Sequence, residues 1–117
     1  MIEISKELLS KVIGISNLDY ELSINKKELH YGNAESKISE FINIYELAHK
    51  CKQWALDNGY YLRAEQGINY YDNLQWVAYL NRDMDDGADY IEHWNNTEPE
   101  AIFKACEWIL KQTKGEE

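Results

Sequence analysis

The chain has 117 residues, 44% of them hydrophobic and 28% charged, and a net charge of −9. That length and apolar content exclude a disordered chain and fit one domain over residues 1–117, which buries roughly two-thirds of its unfolded surface. Twenty-one acids against twelve Lys and Arg speak against direct nucleic-acid binding, which needs a basic footprint. No apolar run approaches the ~18 residues of a membrane span.

The opening stretch, MIEISKELLSKVIG, carries charges throughout, so no signal peptide is expected. Ser5 is placed to cap a first helix with Leu8, Leu9, Val12 and Ile13 on one face, and Gly14 to end it in the left-handed conformation. Leu18, Tyr20, Leu22 and Ile24 then alternate with Asp19, Glu21 and Ser23, the pattern of a half-buried strand. Asn25-Lys26-Lys27 reads as a turn and ELHY as the returning strand, with KISEFI as a further short strand.

Asn43 opens a second helix whose stripe is Ile44, Leu47, Ala48, Cys51 and Ala55, closed by Asn58-Gly59. Residues 60–66 and 74–81 read as strands joined by a connection containing Gly67. Leu74, Trp76, Ala78 and Leu80 share one face, with Val77 and Tyr79 on the other, which suggests a strand covered on both sides. After an acidic turn at 83–87, ADYIEHW is the third strand of a meander.

The closing helix is the best marked. Thr97 caps it, Glu100 three residues on completes a capping box, and Pro99 sits in the first turn where a missing N–H costs nothing. Ala101, Ile102, Ala105, Trp108 and Ile109 form its stripe. The fold class is therefore α+β: an antiparallel sheet, from an N-terminal hairpin and a three-stranded meander, packed by two or three helices.

The residues 43–112 carry a resemblance. NIYELAHKCKQWALDNGYYL, then a Trp-bearing strand at LQWVAYL, then NNTEPEAIFKACEWIL, resemble the phage ABA sandwich domain family. The matching positions are Gly59, Trp76, Thr97, Pro99, Ala101 and Ile102; the acidic turn at 83–87 departs from the pattern. The resemblance implies helix–sheet–helix layering and a phage or prophage origin. It implies no reaction and supplies no catalytic residues.

Site chemistry is sparse. Starting at Asn81, an EF-hand reading puts Asp83, Asp85 and Glu92 at ligand positions, but Gly87 falls one residue late for the sharp turn. His30, His49 and His93 show no zinc spacing. Cys51 and Cys106 are expected as reduced, partly buried thiols of a cytoplasmic protein. No Gly-rich phosphate loop occurs. The expectation is a non-enzyme with no metal and no cofactor.

The charge is uneven. Residues 1–58 hold nine acids and seven bases, residues 59–117 twelve acids and five bases, and 83–100 seven acids and no base. Nine Tyr and four Trp accompany them, with doublets at Tyr60-Tyr61 and Tyr70-Tyr71. If a doublet lies on a strand, one ring faces the core and the other solvent. Exposed Tyr beside acids marks a recognition surface.

The candidate partner-binding residues are thus Asp83, Asp85, Asp86, Asp89, Glu92, Tyr70 and Tyr71. The expected partner is a basic host or defence protein in the bacterial cytoplasm, occluded in an anti-CRISPR-like manner or by nucleic-acid mimicry. The competing reading is a small-ligand binder or signal-nucleotide sponge with an aromatic pocket near Arg63 or Arg82. An uncovered meander edge would suit a homodimer.

Overall fold

A computed structural model describes residues 4–14, 18–23, 28–33, 39–68, 71–82, 91–95 and 97–115. Local chemistry sets the first helix, α1 (Lys6–Ile13). The Ser5 hydroxyl accepts from the Leu8 N–H at 3.1 Å, and Gly14 ends the helix at φ 83°, where a side chain is strained. The Ser5 N–H donates to Glu107 Oε1 at 2.8 Å, which ties the start of α1 to the last helix.

Three strands follow: β1 (Leu18–Ser23), β2 (Glu28–Asn33) and β3 (Ser39–Asn43). They form an antiparallel sheet of order β1-β2-β3, so the N-terminal hairpin gains a third strand from the KISEFI segment. The register aligns Leu22, Leu29 and Ile42 in one row, and Leu29 and Ile42 are buried. On the opposite face, His30 and Phe41 are paired with ring centroids 5.8 Å apart.

Helix α2 (Ile44–Asp57) starts at Asn43, whose Oδ1 accepts from the Tyr45 N–H at 2.8 Å. Its buried residues are the expected stripe of Ile44, Leu47, Ala48, Cys51 and Ala55. Gly59, at φ 88°, turns the chain into a second antiparallel sheet of order β4-β5-β6: β4 (Tyr60–Ile68), β5 (Leu74–Arg82) and β6 (Ile91–Asn95). β4 runs two residues further than its alternation suggests. Gly67 therefore lies inside the strand opposite Gln75, and the turn comes later, where Asp72 takes φ 61°. Asp tolerates that left-handed backbone better than most side chains.

Helix α3 (Glu98–Gly115) closes the fold. The Thr97 hydroxyl accepts from the Glu100 N–H at 3.3 Å and donates to Glu100 Oε1 at 3.1 Å. The box thus closes hydroxyl to carboxylate, not carboxylate to the cap N–H. Phe103, Cys106 and Leu110 are buried beside the expected Ala101, Ile102, Ala105 and Ile109. The buried face is wide because α3 touches α1, α2 and all three strands of the second sheet.

Tyr60 and Leu62 of β4 and Ala78 and Leu80 of β5 share one face by register, and all four join the core cluster that contains the stripes of α2 and α3. Trp108 of α3 meets the Tyr60 ring edge-on, with centroids 5.8 Å apart. Both helices thus lie on the same face of this sheet, not one on each side as the resemblance implies. The cluster also takes in Ile4, Leu8 and Leu9 from the start of the chain, so both sheets share one core.

Candidate functional site

The expected site divides between two ends of the second sheet. β5 ends at Arg82 and β6 begins at Ile91. Asp83, Asp85, Asp86 and Asp89 lie between these ends, outside the described residues, as does Tyr70. Tyr71 belongs to the β4–β5 connection, at the other end of β5, and is 84% exposed. A nine-residue strand at ~3.3 Å per residue separates its two ends by roughly 26 Å. The fold therefore does not bring Tyr71 to the end where the chain enters the acidic segment. Successive turns of a meander alternate ends, and a list of neighbouring residues hides that.

Glu92 stands in β6 opposite Tyr79, and Tyr79 stands opposite Arg63 of β4. The Arg63 guanidinium lies over the Tyr79 ring, 5.0 Å from its centroid, a cation–π contact. Arg63 is thus engaged on the outer sheet face. Tyr61, on the same face, is 55% exposed, whereas Tyr60 is 4% exposed. That doublet divides between core and solvent as strand alternation requires. Val77 is buried on this outer face, yet Tyr61, Arg63 and Glu65 are exposed, so cover there is local and not a layer.

Two of the seven acids between 83 and 100 are used by the chain itself. Glu98 faces Lys52 Nζ at 4.0 Å, and Glu100 takes part in the α3 cap.

The cysteines are further inside than expected. Both are free and fully buried, and the Cys106 Sγ–H donates to the Cys51 carbonyl at 3.5 Å. The adjacent Cys51 thiol and burial hold the Cys106 thiol far above its ordinary range. It is neutral and unreactive in the folded chain. His49 is exposed and contacts Gln53 at 3.4 Å, so it faces away from buried Cys51. Among the described residues, no three His, Cys, Asp or Glu side chains gather as metal ligands would.

An open depression of about 410 Å³ runs along α2, lined by Tyr45, Glu46, His49, Lys50 and Gln53. It has no Trp and no Arg, and it is one face of a single helix. A pocket of the aromatic, arginine-bearing kind is not formed there. No helix is long and apolar enough to cross a membrane among the described residues.

No family model, no curated protein and no solved structure matches this chain. The likeness to phage ABA sandwich domains stands on the residues quoted for it alone.

The sequence reading missed the Arg63–Tyr79 pair. Tyr61, Arg63 and Glu65 already alternate with the buried Tyr60, Leu62 and half-buried Ala64 in period two, and that alternation was the available signal.

Proposed function

We propose that this chain is a non-enzymatic, acidic binding protein that occupies a basic surface of another protein through the segment between β5 and β6. The observation that carries the reading is the run of seven acids without a Lys or Arg over residues 83–100. Its central part joins the ends of two adjacent strands. Such a run creates a local negative field that steers a basic partner and competes with nucleic acid for it. In its most specific form the protein is phage- or prophage-encoded and blocks a nucleic-acid-handling host or defence protein, as an anti-CRISPR does. The family resemblance motivates that form.

The test is affinity capture from bacterial lysate with native protein and an Asp83→Asn/Asp85→Asn/Asp86→Asn/Asp89→Asn variant. Native protein captures a basic protein at about 0.1 M salt and releases it near ~0.5 M, where the Debye length falls below about 5 Å. The variant loses capture while its melting temperature stays within a few degrees of native. Equal capture by the variant contradicts the proposal.

A further inference from the structure

β4 is an edge strand: in the order β4-β5-β6 it pairs with β5 alone among the described strands. It is nine residues long and carries no Pro. A long edge strand is a template for another strand. Its sequence, YYLRAEQGI, is self-complementary in one register.

We propose that β4 pairs antiparallel with β4 of a second copy about a two-fold axis through Ala64, joining two three-stranded sheets into one of six strands. A two-fold axis normal to the sheet requires each residue to meet one of the same parity, so the faces stay matched. Centring on Ala64 overlaps all nine residues and sets Arg63 opposite Glu65 of the second copy, twice. Centring one residue earlier sets Arg63 against Arg63, and one residue later Glu65 against Glu65. Both shifts shorten the overlap. Maximum pairing and charge complementarity thus select the same register.

Arg63 and Glu65 are both exposed. Arg63 contacts Tyr79 in the isolated chain and turns toward the edge on pairing. The same register sets Ile68, 68% exposed, opposite Tyr60 of the second copy. The uncovered half of one hairpin then lies beside the helix-covered half of the other. The inference does not depend on the acidic segment, and it sets the Arg82 ends of the two copies' β5 strands at opposite ends of the joined sheet.

Light scattering after size exclusion tests it, with native protein, Arg63→Glu, Glu65→Arg, the double variant, and an equimolar mixture of the two single variants. Native protein is expected at twice the 13.8 kDa chain mass. Each single variant sets two like-charge pairs face to face and weakens dimerisation roughly tenfold or more. The double variant and the mixture restore the dimer, because each again faces Arg with Glu. Circular dichroism confirms that the single variants are folded. A native mass of 13.8 kDa, single variants that dimerise as native does, or a mixture that stays monomeric overturns the proposal.

Discussion

At its base the β4–β5 hairpin buries Tyr60, Leu62, Ala78 and Leu80; toward its tip Ile68 and Leu74, on the same face, are 68% and 67% exposed. The alternation is continuous along both strands. Only the cover changes: α2 and α3 lie over the base, and Ala64 and Trp76, both half-buried, mark where that cover thins. Hydrophobicity alone therefore did not decide burial here. Placing a Leu under cover is worth about 1.5–3 kcal/mol, and the tip residues leave that gain unrealised in the isolated chain. The proposed β4–β4 pairing would recover part of it.

The contrast is broken most sharply by one substitution at each end. Leu80→Ala empties a fully buried site and is expected to cost about 2–5 kcal/mol in urea denaturation. If it costs no more than the same change at the tip, the covered base is misplaced. A second test bears on the α2–α3 interface that supplies the cover. Cys106 stays protonated when folded but ionises in the unfolded chain above pH ~8.5. The unfolded state then binds fewer protons than the folded state, so stability falls as pH rises. The limiting slope from this thiol is about 1.4 kcal/mol per pH unit. Iodoacetamide should label it only after denaturant is added, and labelling of the native chain would contradict its burial.

Smaller effects sharpen the comparison. Thr97→Ala removes the cap of the covering helix and should lower stability by about 1 kcal/mol. Leu74→Ala at the tip should change the stability of the dilute chain by less than about 0.5 kcal/mol, readable as a nearly unmoved urea midpoint. A loss near that of Leu80→Ala would show that the tip is covered in solution.

Much of the fold was legible because its signals are local. Ser5, Asn43 and Thr97 cap where their side chains suggest, and the α2 stripe is buried residue for residue. What escaped was relational. The two sheets do not join by strand pairing among the described residues, and α3 buries Phe103 and Leu110 because neighbours surround it more widely than a single stripe implies. Asp72 takes a positive φ in the β4–β5 connection, which no alternation rule marks. At the candidate site the acids were visible as composition, but that Tyr71 and Arg82 stand at opposite ends of β5 follows from the meander alone. The Arg63–Tyr79 pair needed the register.

The most direct measurement is a titration with a nonaarginine peptide, followed by backbone amide NMR. The account predicts shifts concentrated from Arg82 to Asn95, lost near ~0.5 M salt and absent at Ile68–Leu74. Shifts spread evenly over Glu46, Glu65, Glu107 and the other acids would contradict a focused acidic docking segment.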